Sequence, residues 1–285
     1  MIIVNLKKIL LITAGVLLVV LIVLYAWMSG FLRQITLAAE TEALLVKHGD
    51  SLARIRFELK DHMNQIYIPA GEFSMGSGAK DKEILAHKVY LDAYWMDQTD
   101  VTNAMYALCV KAGTCTHPAR YDKHFDNPKD ADYPVVYVTW YAAQDFCTWE
   151  GGTLPTEAQW EKAARGWDDR PYPWGTNLPD ITLLNYSGDH GDIVSAYDYL
   201  IALSPYGLLQ MSGNVRQWMS DWYQRTYYSI SPYKNPKGPD SGEYKSLRGG
   251  AFDDDFQEVE TTYRAYHEPT SPGQERGFRC VQNAK

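Results

Sequence analysis

The densest grouping of chemically capable side chains in this 285-residue chain is residues 251–269, AFDDDFQEVETTYRAYHEP, where Asp253, Asp254, Asp255, Glu258 and Glu260 precede His267 and Glu268. Carboxylates beside an imidazole form the donor set of a hard cation or a non-haem iron. Consecutive aspartates project in different directions, however, so the simpler expectation is a solvated acidic loop. The chain's thiols are Cys109, Cys115, Cys147 and Cys280. No glycine-rich phosphate loop, hydrolase elbow or zinc spacing stands out. For His87 a hydrogen-bonding structural role is expected. Arg248 and Arg279 are expected to make core ion pairs or to bind backbone carbonyls.

Positioning such groups requires a core. At 46% hydrophobic and 22% charged residues the chain can bury a sizeable one, and its length allows one or two domains. Twenty-one Tyr and nine Trp among many Gly and Pro suit a loop-rich domain whose aromatics pin irregular backbone by packing. Residues 66–75, with alternating apolar side chains and a Pro-Ala-Gly turn, predict a hairpin. Helices are expected over 102–111, 139–150 and 156–165, each opened by a threonine cap. Thr156 and Gln159 stand in capping-box register, and Gly166 is the stop for the third helix. The density of Gly, Pro, Asn and Asp elsewhere argues for short strands and long loops.

Residues 9–28 are twenty uncharged, mostly aliphatic positions, enough to cross a hydrocarbon core of about 30 Å. Lys7 and Lys8 lie before this run, whereas only Arg33 closely follows it. The positive-inside rule then predicts a cytoplasmic tail over 1–8, an uncleaved signal-anchor helix over 9–30 and an exported remainder. The expected location is therefore the cell membrane, single-pass, with the domain periplasmic or extracellular. Residues 31–62 are expected to form a helical stalk, with Ala38, Leu45, Leu52 and Leu59 spaced by seven, ahead of a domain over 63–285. Lys7 and Lys8 are the only charged side chains before residue 33, so the exported part is more acidic than the whole chain's −8. That disfavours nucleic acid and anionic membrane surfaces as partners.

Seven ordered motifs carry a family resemblance: IPAGEFSMGS at 68–77, LDAYWMDQTDVTNAMY at 91–106, YPVVYVTWYAAQDFCTWEGGTLPTEAQWEKAARG at 133–166, YPWG at 172–175, SPYGLLQMSGNVRQW at 204–218, RGGAF at 248–252 and GFRCV at 277–281. In these the chain resembles the formylglycine-generating enzyme, or sulfatase-modifying factor, family. The resemblance implies an α+β fold: one complex mixed domain of the C-type-lectin-like type, low in regular secondary structure, here preceded by the transmembrane helix. It also implies a bacterial source. Copper-using members hold Cu(I) between two thiolates just after the RGG turn, and the corresponding positions here are Asp254 and Val259, with Ala251 replacing a serine near the reacting site. A carboxylate and a valine cannot reproduce a two-sulfur copper site, so copper is not expected.

By the same resemblance Cys147 and Cys280 match a structural disulfide. Cys109 and Cys115 are left for a local bridge across the Gly113 turn, with a two-thiolate metal site as the alternative. The family's calcium sites map to Asn185 and Tyr186 with Asp189 or Asp192, and to Gln210, Gly213, Val215 and Gln217. In the second set two neutral amides replace stronger ligands and should weaken affinity. Calcium is therefore a candidate cofactor at the first set. Two functions remain open. One is a tethered recognition module binding a peptide, glycan or envelope protein in a groove beside Ala251, Phe252, Asp253, Asp254 and Asp255. The other is an oxidoreductase of altered metal chemistry acting on a peptide or small molecule.

Overall fold

In this computed structural model the described residues are 36, 39, 55–78, 85–119 and 122–284. The expected anchor over 9–30 lies outside them, as does nearly all of the expected stalk up to residue 54. Among the described residues no helix is long and apolar enough to cross a membrane. Within the unit of residues 41–285 the helices form where local chemistry demands. Helix α1 (Asn103–Lys111) starts at Thr102, whose side chain accepts from the Met105 N–H. Helix α2 (Trp140–Glu150) starts at Thr139, which accepts from Ala142. Helix α3 (Glu157–Arg165) has the full capping box: Thr156 Oγ1 accepts from Gln159 N at 3.1 Å, and Gln159 Oε1 accepts from Thr156 N at 2.9 Å.

The strands in chain order are β1 (Ile55–Phe57), β2 (Asn64–Ile68), β3 (Gly71–Met75), β4 (His87–Leu91), β5 (Tyr94–Asp97), β6 (Arg216–Trp222), β7 (Lys245–Arg248), β8 (Ala265–His267), β9 (Arg276–Gly277) and β10 (Val281–Asn283). They form one sheet in the order β1-β2-β5-β10, a β3-β4 pair, and a second four-stranded sheet in the order β8-β7-β6-β9. The mixed α+β class expected from the sequence is what forms.

Two local expectations are corrected. Residues 66–75 are not a hairpin: β2 has β1 on one edge and β5 on the other, so β3 pairs with β4 instead. Pro69, lacking an N–H, helps to end β2 and turn the chain. The helical stalk expected through residue 62 gives way at its end, because Ile55–Phe57 is a strand in register with Asn64, Gln65 and Ile66. The heptad spacing that included Leu59 was misleading, since Leu59 is 72% exposed.

One apolar cluster joins β2–β5 to α3 through Ile66, Val89, Met96 and Trp160. A second surrounds Tyr106, Phe146, Trp218 and Phe278, with Tyr106 stacked on Phe146 at 5.6 Å. Aromatic packing thus does the work expected of it. Both expected disulfides form, Cys109–Cys115 and Cys147–Cys280, and no cysteine is free. The second ties α2 to the segment leading into β10.

Candidate functional site

The two framework arginines organise the region around the RGG turn. Arg248, wholly buried on β7, donates to Glu157 and Glu161 of α3 and to the carbonyl of Thr261. Arg279 donates to the carbonyls of Asp97, Gln98 and Leu209 and to Gln217 Oε1. Both serve the structure, as the sequence suggested. His87 Nδ1 lies 2.9 Å from the Leu85 carbonyl and its ring packs on Tyr228.

Beyond the turn, the acidic segment does not converge. Asp253 and Asp255 are exposed, whereas Asp254 is buried. Arg216 of β6 reaches Asp254 through both Nε and Nη2, at 2.7 and 2.5 Å, and the Ala251 N–H donates to the same carboxylate at 2.7 Å. Glu258 accepts from Arg216 and from the Tyr263 hydroxyl. This is a bidentate, charge-assisted lock that commits the Asp254 carboxylate to Arg216. Val259 is fully buried against Tyr172 and Leu184. Gly250, at φ +71°, is pressed so closely on this segment that a Cβ would stand 2.7 Å from Val259 Cγ1. With all four cysteines in disulfides, the positions corresponding to copper thiolates offer no sulfur, only an arginine-paired carboxylate and a buried valine. Copper does not fit here. Of the residues expected beside a groove, Ala251 and Phe252 are buried, with Phe252 packed against Val136, Ile193 and Val215, whereas Asp253 and Asp255 are exposed. No group of three metal-capable ligand atoms gathers in this segment among the described residues.

The residues matched to calcium sites come together in space. The Asn214 N–H donates to the Asn185 carbonyl at 2.8 Å, and Asn185 Nδ2 lies 3.2 Å from Asn214 Oδ1. Gly213, at φ +73°, allows this approach: a Cβ would meet the Asn185 carbonyl oxygen at 2.4 Å. The two sets then differ. Gln217 Oε1 is taken by Trp160 Nε1 and Arg279 Nε, and Gln210 Oε1 by Asn214 Nδ2; Val215 is fully buried. In that set both glutamine side-chain oxygens already accept hydrogen bonds from neighbouring residues. In the other, Asn185 Oδ1 is buried without a partner, an orphaned acceptor of the kind a cation satisfies. The Tyr186 carbonyl accepts from the Asp189 N–H at 3.2 Å, the Asp189 side chain is exposed, and Asp192 is held by Lys123 and His124.

A cleft of about 730 Å³ opens elsewhere, between the starts of α2 and α3 and the end of β10, lined among others by Trp140, Gln144, Thr153, Lys237, Lys245 and Asn283. Sequence reasoning missed it, since its walls come from seven separate segments. Lys245 is its distinctive group. Its Nζ donates to the Ser220 carbonyl at 2.8 Å and sits 4.0 Å from the Trp140 ring centroid and 3.9 Å from that of Trp222. Loss of water around the amine brings its pKa down to about 8, against an opposing pull from Asp221. The amine is charged below that pH, so an anion held here is released as pH rises through 8. Because the folded value lies below the unfolded 10.5, this group's contribution to stability increases between those two values. Tryptophan fluorescence titrated from pH 6.5 to 9.5 should show a step centred near 8 that is absent from Lys245→Met. A wild-type curve without that step would refute the assignment.

Comparison with known proteins extends these observations. Residues 55–284 match the "Sulfatase-modifying factor enzyme 1-like domain" family. The chain is 31% identical over 280 residues to a formylglycine-generating enzyme of Streptomyces coelicolor, covering 77% of this chain and 89% of that protein. It is 33% identical over 242 residues to a protein named serine/threonine-protein kinase pkn1 of Chlamydia pneumoniae, covering 76% of this chain and spanning 38% of that protein's length. Among solved structures, PvdO from Pseudomonas aeruginosa shares the fold at a TM-score of 0.69 and 19% identity, over 81% of this chain and 98% of that one.

Proposed function

The chain belongs to the sulfatase-modifying factor enzyme 1-like family, and from that membership we propose a membrane-anchored, extracytoplasmic recognition module that keeps the family fold without its copper chemistry. One observation carries this reading: where copper-using members place thiolates, Asp254 is locked to Arg216 and Val259 is buried in the core. The ligand side is supported by the cleft, whose Lys245 and Lys237 would meet a carboxylate while Gln144, Thr153 and Asn283 offer hydrogen bonds to amide or hydroxyl groups. A carboxylate-bearing segment of an envelope peptide suits that chemistry. Export is supported by the two disulfides, which belong to oxidising compartments, and by the apolar run at 9–28 preceded by Lys7 and Lys8. If calcium is held at the family position, Asn185 Oδ1 is the side-chain oxygen with capacity for it.

The test uses the full chain purified in detergent, with metal content measured by mass spectrometry and oxygen uptake measured in the presence of a cysteine-containing peptide. The expected result is substoichiometric copper and iron and no oxygen uptake above the peptide control. Stoichiometric copper or iron together with oxygen consumption would sink the recognition reading and return the oxidoreductase of altered metal chemistry.

A further inference from the structure

The cleft that holds Lys245 borders an unsatisfied strand edge. Along β10 alternate residues face β5: the Cys280 carbonyl accepts from the Asp97 N–H at 3.0 Å, and the Ala284 N–H donates to the Ala93 carbonyl at 3.1 Å. Val281 has the opposite parity and exchanges both of its backbone bonds with Thr153, at 2.8 and 2.9 Å. Asn283 lies two residues further along the same strand, so its N–H and C=O point to the same side as those of Val281. Thr153 meets β10 only at Val281, and neither backbone group of Asn283 is hydrogen-bonded among the described residues. Asn283, Thr153 and Leu154 all line the cleft. An open edge of this kind is a template for another backbone.

The charges of the lining complement one kind of backbone end. Lys245, 4% exposed, gives one N–H to the Ser220 carbonyl and has further donors for a ligand; Lys237 is exposed. Asp92, the carboxylate of the lining, is already met by Lys234 and Asn235. A strand laid on Asn283 would exchange one pair of bonds and then run into Thr153, which fills the next bonding position at Val281. A passing chain has to turn away there, whereas a chain end does not. Two lysines repel an ammonium end and attract a carboxylate end. Resting on the recognition reading above, we infer that the cleft captures the free C-terminus of a partner polypeptide: its carboxylate is held by Lys245 and Lys237, and the N–H and C=O of one of its residues pair with Asn283 as an added β-strand. This narrows the ligand from any carboxylate-bearing segment to a chain end held largely by its main chain.

The experiment titrates the full chain in detergent at neutral pH, by calorimetry and tryptophan fluorescence, with acetyl-Ala-Ala-Ala bearing a free carboxyl, with the same peptide as its C-terminal amide, and with acetyl-Ala-Asp-Ala amide, whose carboxylate is on a side chain. The free acid should bind, and both amides should bind more weakly by about tenfold or more. Lys245→Met and Lys237→Met should each weaken the free acid by a similar factor, as should N-methylation of one of its amides, which removes the N–H offered to Asn283. No binding of the free acid, or equal binding of the free acid and its amide, overturns the inference. Equal binding of the Asp peptide also overturns it, but leaves a carboxylate-binding cleft and with it the recognition reading. If N-methylation at every amide in turn has no effect, strand addition on β10 is refuted. The recognition reading itself fails by a separate measurement, the metal content and oxygen uptake described above. Should Lys245→Met fail to fold, the exposed Lys237 and the peptide series decide by the same criteria.

Discussion

Glu157→Gln is expected to destabilise the domain by about 3–5 kcal/mol, the cost of removing one partner from a buried ion pair. Glu157, in the first turn of α3, is one anion serving two buried cations. Arg264 reaches it through Nε and Nη2, both at 2.8 Å, and Arg248 through Nε at 3.0 Å; Ser246 adds a hydroxyl at 2.7 Å. The three charged side chains are 3% exposed or less. A neutral amide of the same shape takes from Arg264 both of its charge-assisted bonds to Glu157, while Arg248 retains Glu161. The whole β7–β8 face of α3 is therefore at stake rather than one bond.

The pH dependence gives a second readout of the same interaction. Burial alone would raise the Glu157 pKa, but Arg264 and Arg248 overcome it and hold the group at about 2, below its ordinary 4.5. A depressed carboxylate stabilises the fold above its unfolded value and loses that contribution as pH falls through the folded value. The gap between wild type and Glu157→Gln should accordingly be full above pH 4.5 and close toward pH 2, as measured by urea denaturation across that range. A gap of under about 1 kcal/mol at pH 7, the scale of a surface pair, would show that the network is not what holds α3 to the sheet.

The other large effect belongs to Cys147–Cys280. Its partners are 133 residues apart in sequence, against 6 for Cys109–Cys115. In the chain-entropy account the long closure contributes roughly 5 kcal/mol and the short one roughly 2–3 kcal/mol. The variant Cys147→Ala/Cys280→Ala should lose about that larger amount and Cys109→Ala/Cys115→Ala about the smaller, read from denaturant midpoints at constant slope. Equal losses from the two pairs would mean that local strain or packing, rather than loop closure, sets their worth. Both cysteines of the long bridge are fully buried beside Phe146 and Phe278, so the alanine pair also samples that packing.

The parts of the molecule legible in the sequence share a physical basis. The Thr102, Thr139 and Thr156 caps form because a hydroxyl reaches a backbone N–H three residues on, a contact that depends on almost nothing else. The ordered motifs, the mixed α+β class and both disulfides followed from the family resemblance and the cysteine count. The hairpin at residues 66–75 failed for the opposite reason: alternation and a turn identify strands but not their neighbours, and β2 had its two edges filled by β1 and β5.

The same division runs through the candidate sites. That the positions corresponding to the copper thiolates carry no sulfur was written in the sequence, since residues 251–269 contain no cysteine. What occupies that place was not: Arg216 and Asp254 are 38 residues apart, and only the packing of β6 beside β7 makes them a pair. Asp61, Asp97 and Glu150 share no motif, and nothing in the sequence marks them as carboxylates that the fold buries. Sequence alone therefore determined the family, the helix starts and the absence of thiolate ligands, each a matter of residue identity or of contacts a few positions apart. Tertiary structure alone decided which carboxylates are neutralised by arginine and which are buried without a cation, because charge balance in the interior is set by neighbours that chain order does not name.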